Sequence, residues 1–198
     1  MGDATEDRAK AAELPEGDVI RILLEQHARI RELFKDVMSA EGEHKQQAFD
    51  ELRALLAVHE TAEEEIVYPL VRKTLPDGDG LADARIAEEN AAKQALSDLE
   101  KMGVDDAAFP SKFASFRQDV LRHAENEERL VFGPLRERLD ADRLEKVAKA
   151  LTAAEAVAPT HPHPHGPSSA TGHFVVGPFA AIADRVRDAL TSSGSHSS

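Results

Sequence analysis

His59-Glu60-Thr61-Ala62-Glu63-Glu64-Glu65-Ile66-Val67-Tyr68-Pro69 is the stretch on which the fold turns. A residue and its fourth neighbour lie one above the other on a helix, so His59 and Glu63 project from a single face. The pair returns as His123-Ala124-Glu125-Asn126-Glu127, and its apolar frame returns with it. Large apolar residues stand at −10, −7, −3 and +7 from each His: Phe49, Leu52, Leu56 and Ile66 in one copy, Phe113, Phe116, Val120 and Leu130 in the other. An imidazole and a carboxylate in the middle of an apolar stripe are costly to bury unless something pairs with both. Two such helices face to face point to a metal site inside a bundle.

Outward from these two segments, the chain reads as helices joined by short turns. Pro15 opens a pattern in which Ile20, Leu24, Ile30, Phe34 and Val37 recur at three- and four-residue spacing, until Gly42 interrupts it. The first metal-ligand pair lies in a helix over about 44–73, stopped by Leu75-Pro76-Asp77-Gly78-Asp79-Gly80. A third helix spans about 80–102, with Ile86, Leu96, Leu99 and Met102 on one side, and a fourth spans about 107–138. Strand-like alternation is missing. The expected fold is all-α, an up-down-up-down four-helix bundle. An additional Ala-rich helix over 140–157 should pack outside it.

The remaining segments read as appendages. Residues 1–14 are expected to be a flexible leader and 15–157 the bundle domain. A Pro/His/Gly-rich linker over 158–177 carries His161, His163 and His165, and 178–198 would form a short last helix with a mobile tail.

The other two bundle helices carry matching polar residues. His27 has Ile20 at −7, Leu24 at −3, Phe34 at +7 and Val37 at +10; Glu89 has Ala82, Ile86, Leu96 and Leu99 at the same offsets. The bundle therefore reads as two helix pairs related by a pseudo-twofold axis, each giving one single ligand and one His–x–x–x–Glu pair. The candidate ligands are His27, His59, Glu63, Glu89, His123 and Glu127. Three imidazoles and three carboxylates suit two ions better than one, with Glu side chains bridging.

Composition narrows the chemistry. The 198 residues carry a formal charge of −13 and no Cys. Disulfides, thiolate sites and Cys nucleophiles are excluded, and any metal must sit on His nitrogen and carboxylate oxygen, a set suited to iron, manganese or zinc. The acidic balance argues against nucleic acid and anionic membranes as partners. No apolar run approaches spanning length and the polar start lacks an apolar signal core, so a cytoplasmic protein is expected, with a monomer the simplest state.

These motifs resemble the hemerythrin-like proteins of the HHE cation-binding family over about 16–138. The resemblance rests on Glu25-Gln26-His27-Ala28-Arg29-Ile30, on His59 to Pro69 and on His123 to Pro134, each His–Glu pair being followed by a Pro. It implies a four-helix bundle holding two non-haem iron ions bridged by oxygen and carboxylates. It also implies a small oxygen-derived ligand such as peroxide, oxygen or nitric oxide, and a catalase-like activity is one expectation. Oxygen carriers of the family use a His–x–x–x–His pair on the third helix, where this chain has Glu89 and Lys93. A hard anionic ligand favours ferric over ferrous iron, so reversible oxygen carriage is not expected. A sensing module without turnover is the alternative function. A purely structural bundle of paired polar residues is the third reading.

Several neighbours compete for roles. Glu88 or Asn90 would face inward if the third helix were rotated. Glu60, Glu64 and Glu128 are alternative carboxylates whose simpler role is a solvated surface. Lys93 either pairs with a ligating carboxylate or extends to solvent. Tyr68 aligns with Phe132 in the second copy, so packing with its hydroxyl at the bundle edge is expected, and a phenolate ligand is the alternative.

Overall fold

The computed structural model describes residues 3–158 and is helical throughout its ordered elements. The linker and last helix expected after 158 lie outside the described residues. Eight helices follow in order: α1 (Ala4–Ala12), α2 (Val19–Ser39), α3 (Gly42–Ala62), α4 (Tyr68–Thr74), α5 (Gly78–Met102), α6 (Phe109–Glu127), α7 (Gly133–Arg138) and α8 (Ala141–Glu155). α3 runs into α4 through a π turn at Glu63–Val67, and α6 into α7 through another at Glu128–Phe132. The four bundle helices are thus α2, α3–α4, α5 and α6–α7, in the expected up-down-up-down arrangement.

Local chemistry sets the ends of these helices. Asp18 accepts a hydrogen bond from the Ile20 N–H at 2.9 Å, capping α2, while its other oxygen accepts from Arg136 of α7. Asp140 caps α8 by accepting from the Arg143 N–H. Gly103 ends α5 at a φ of 81°, which an L side chain adopts only with strain. At the α4–α5 turn, a Cβ on Gly78 would run into the Val71 carbonyl oxygen, so only glycine lets the two helices approach there.

Residues 3–14, expected as part of a flexible leader, differ from that expectation. They contain α1, capped by Asp3 and packed along α2, with Ala4, Asp7 and Ala11 buried. Two alanines and an acid make up that face, so a search for large apolar residues at helical spacing passes over it.

The core is split in two. One cluster gathers Ile20, Leu23, Leu24, Ile66, Val67, Leu70 and Val71 with Leu144, Val147 and Leu151 of α8. The other gathers Ile30, Phe34, Phe49, Leu52, Leu56, Leu96, Phe113, Phe116 and Val120. His27, His59, Glu63, Glu89, His123 and Glu127, all buried, interrupt the apolar stripes between the clusters. Buried polar groups cost free energy unless they are partnered, and here six of them form one belt.

The π turns alter the helical phase just after each His–Glu pair. Tyr68 donates its N–H to the Glu63 carbonyl, five residues back. Pro69 has no N–H, and a proline ring clashes with the carbonyl four residues earlier in a regular α-helix; a wider turn relieves that clash. Pro134 follows the second π turn in the same way. The added residue turns the next side chains by roughly 100°. Accordingly Leu130, expected in the core, is half-buried, and Val131 is fully buried in its stead.

Candidate metal centre

Six donors converge from four helices. His27 comes from α2, His59 from α3, Glu63 from the π turn after it, Glu89 from α5, and His123 and Glu127 from α6. They form two overlapping sets whose ligand atoms lie within 4.8 Å of one another: His27, His59, Glu63 and Glu127, and Glu63, Glu89, His123 and Glu127. Glu63 and Glu127 belong to both. Each is the carboxylate of a His–x–x–x–Glu pair, so both could serve a cation held by either set.

Distances within the sets fit a cation between the donors. His59 Nε2 lies 3.3 Å from Glu63 Oε2, and His123 Nε2 lies 3.3 Å from Glu127 Oε2. His27 Nε2 is 3.4 Å from Glu127 Oε2, and His123 Nε2 is 3.7 Å from Glu89 Oε1. Two donors about 2.1 Å from one ion stand roughly 3.0–3.5 Å apart at ordinary coordination angles.

Among the described residues, several of the inward atoms have no hydrogen-bond partner. Nε2 of His27 and His123, both oxygens of Glu63, and Oε2 of Glu89 and of Glu127 are buried without one. A fully buried carboxylate with neither oxygen satisfied is rare in a native protein. A divalent or trivalent ion is the simplest group that would satisfy all of these atoms together. The donor set is hard and nitrogen–oxygen in kind, which fits iron, manganese or zinc.

Each imidazole is oriented from behind. Nδ1 of His27 lies 3.2 Å from Glu128 Oε1, that of His59 lies 2.7 Å from Gln26 Oε1, and that of His123 lies 2.9 Å from Glu88 Oε2. A carboxylate or amide oxygen only accepts, so each Nδ1 carries a hydrogen and Nε2 is the inward nitrogen, free to ligate once its ring is neutral. Glu128 and Glu88 therefore hold imidazoles rather than lying in solvent. Gln26 is a contributor that sequence reasoning missed. Asn90 is exposed, which settles the phase of α5 in favour of Glu89.

Tyr68 is the largest departure from expectation. At 3.6 residues per turn it would lie roughly 180° from His59, on the outer side. The π turn swings it inward, where it is fully buried. Its hydroxyl reaches Glu127 Oε1 at 2.7 Å and also contacts Glu89. Phe132, its counterpart, stacks on His27 with ring centroids 5.3 Å apart. The pseudo-twofold thus pairs a phenol on Glu89 with a phenyl on His27. Lys93 takes the pairing role: its ammonium contacts Glu64 and lies 3.8 Å from Glu89 and 3.9 Å from Glu60.

Without a cation the site is electrostatically frustrated. Burial, then the Glu127 and Glu60 carboxylates, push the Glu63 carboxyl well above its usual range. Burial, with Glu60 and Glu63 next, does the same to Glu89. Burial raises Glu60 to about 7 against the pull of Lys93. Burial would also raise Glu127, but facing His123 and His27 bring it down to about 2. Burial, aided by the charge of His27, holds His59 down to about 3 and keeps its imidazole neutral, the form that ligates.

Beside the three imidazoles lies a cavity of about 20 Å³, bordered by Ile30, Leu56, Ala92 and Val120. That is room for a molecule about the size of water.

A four-helix bundle carrying two His–x–x–x–Glu pairs around shared carboxylates defines a class of metal-binding helical proteins. The hemerythrin HHE cation binding domain model matches residues 18–135, and the chain belongs to that family. An uncharacterized hemerythrin-like protein of Schizosaccharomyces pombe is 27% identical over 136 residues, 68% of this chain and 67% of that protein. A DNA nickase of Nostoc sp. is 25% identical over 156 residues, 78% of this chain but 43% of that protein, so the chain spans less than half of that relative. A crystal structure of a hemerythrin HHE cation binding domain-containing protein from Mycobacterium kansasii shares the fold, with a TM-score of 0.60 at 22% identity over 72% of this chain and 86% of that one. Among the described residues no helix is long and apolar enough to cross a membrane.

Proposed function

We propose that this protein holds two iron ions between His27, His59, Glu63, Glu89, His123 and Glu127 and reacts there with a small oxygen-derived molecule, hydrogen peroxide first among them. The observation that carries the reading is the pair of donor sets sharing Glu63 and Glu127, with their inward atoms otherwise unsatisfied. Iron would supply the one-electron steps that no side chain here supplies. The chain does the rest. His27 and His59 would hold one ion and Glu89 and His123 the other, with Glu63 and Glu127 available to both. Glu89 adds a negative charge where a neutral imidazole would be softer, which favours the higher oxidation state and disfavours reversible oxygen carriage.

The cavity beside the imidazoles limits the ligand by size. About 20 Å³ suits a molecule of one or two heavy atoms. A net charge of −13 supports the same choice, since it disfavours a phosphodiester partner.

Metal analysis after anaerobic iron loading should give two ions per chain. Iron-loaded protein should then decompose peroxide at least about 100-fold faster than His59→Ala treated alike, a loss on the scale of removing a ligand or its support. Equal rates would end the enzymatic version. A loaded protein that binds and releases oxygen without oxidation would return the reading to oxygen carriage.

A further inference from the structure

Two helices lie outside the bundle, α1 and α8, and each ends in a hydrogen-bond chain to an imidazole. On the α1 side, Asp7 accepts from Arg31 Nε at 2.5 Å. Arg31 Nη2 donates to Glu128 Oε1 at 3.0 Å, and the same oxygen accepts from His27 Nδ1 at 3.2 Å. Lys10, also on α1, reaches the other Glu128 oxygen at 3.3 Å. Asp7 is 0% and Arg31 3% exposed, so this is an ordered chain of alternating charge and not a solvated surface pair.

On the α8 side, Glu155 Oε1 accepts from Gln26 Nε2 at 2.5 Å, and Gln26 Oε1 accepts from His59 Nδ1 at 2.7 Å. The direction of this chain follows from chemistry. A carboxylate has no hydrogen to give, so the Gln26 amide must turn its NH2 towards Glu155. Its carbonyl then faces His59, which places the imidazole hydrogen on Nδ1 and the lone pair on Nε2, 3.3 Å from Glu63.

His123 differs. Its partner Glu88 is held by Arg85 at 2.8 Å and lies 3.4 Å from Asn126 Nδ2, and both residues belong to the bundle helices α5 and α6. Among the described residues, outside support therefore falls on the donor set of His27 and His59.

We infer that α1 and α8 are parts of the metal-binding apparatus: Asp7 and Arg31 act through Glu128 as positioning residues for His27, and Glu155 acts through Gln26 for His59, so that one of the two metal positions depends on helices outside the bundle. This rests on the proposed two-metal reading. It makes the two ions inequivalent in a defined way, and it gives a buried acid on an alanine-faced helix a reason to be there.

The test is an anaerobic iron(II) titration of the full chain against a chromophoric chelator, resolving two binding steps, with far-ultraviolet circular dichroism as a check on folding. Asp7→Ala and Glu155→Ala should each weaken one step by about 10- to 100-fold and leave the other within about twofold, the scale expected for support behind a ligand. Glu88→Ala should weaken the opposite step. A generally loosened fold would weaken both, so the crossover separates positioning from stability. Asp7→Asn keeps a hydrogen bond to Arg31 and serves if Asp7→Ala fails to fold; it should show a smaller loss on the same step. Equal weakening of both steps, or none, in the Asp7 and Glu155 variants overturns the inference while leaving the two-metal reading intact. A wild-type chain that takes up fewer than two ions overturns both.

Discussion

Glu63 is fully buried, and among the described residues neither of its oxygens has a hydrogen-bond partner. Its worth therefore depends on what is bound. In metal-free protein, Glu63→Met should raise stability by roughly 1–3 kcal/mol, the cost of burying an unsatisfied polar group that the apolar side chain removes. The same variant should bind one iron ion at most. Urea unfolding in the presence of a chelator, followed by metal analysis, checks both; a destabilised metal-free Glu63→Met would mean that the carboxylate has a partner of its own. Tyr68→Phe removes the hydroxyl from Glu89 and Glu127 and should change the visible absorption of iron-loaded protein. An unaltered spectrum would reduce Tyr68 to packing. The burial of His27, His59, Glu63, His123 and Glu127 was legible because each stands in an apolar stripe of helical period. Their supports were not. Gln26, Glu88 and Glu128 each adjoin a ligand in sequence yet serve the imidazole of a different helix, and no single helix reveals that.

The π turns are the elements that convert two ordinary helices into site walls. They bring Tyr68 inward and exchange Val131 for Leu130 in the core. A regular 3.6-residue phase cannot place these side chains, although Pro69 and Pro134 mark where the phase breaks. At the α4–α5 turn, Gly78→Ala should cost about 1–3 kcal/mol, because the added methyl meets the backbone of Val71 and Arg72. Gly80→Ala meets only the movable end of the Asp77 side chain and gains helix propensity, so it should be neutral or stabilising. Chemical denaturation of the two variants side by side decides this, and equal losses would mean that the turn yields more than its close contact implies.

For the molecule as a whole, the belt between the two apolar clusters sets how stability responds to pH and metal. In metal-free protein, Glu60, Glu63 and Glu89 are held above their ordinary 4.5, chiefly by burial. His27 and His123 are held above 6.5, burial opposing and the facing carboxylates prevailing. Each of these groups keeps its proton longer when folded, so its contribution is complete at low pH and is lost as pH rises through the folded value. For Glu60 that window runs from 4.5 to about 7. His59, lowered to about 3, acts in the opposite sense between there and 6.5 but stands alone. Glu127 and Glu128, both near 2 despite burial, contribute above 4.5 and lose that contribution as pH falls towards 2. Metal-free protein should therefore melt lower near pH 7 than near pH 5, roughly where most of these protons leave. Iron must displace those protons, so loading should release acid, bind more tightly at the higher pH and reverse the trend in melting temperature. A metal-free melting temperature that climbs from about pH 5 to about pH 7 would refute this ordering of charges.

Helical period and the twice-repeated His–Glu frame were enough, from the sequence alone, to determine the bundle, its four helices and the inward faces of His27, His59, Glu63, His123 and Glu127, while Glu89 was one of three neighbouring residues on its helix until the structure buried it and exposed Asn90. Only the tertiary structure decided which residues stand behind the imidazoles, that Tyr68 enters the site, and that α1 packs along α2 with a buried acid. Those features arise between helices, or where proline breaks the helical phase, and contacts of that kind depend on how the elements meet and not on the order of residues within any one of them.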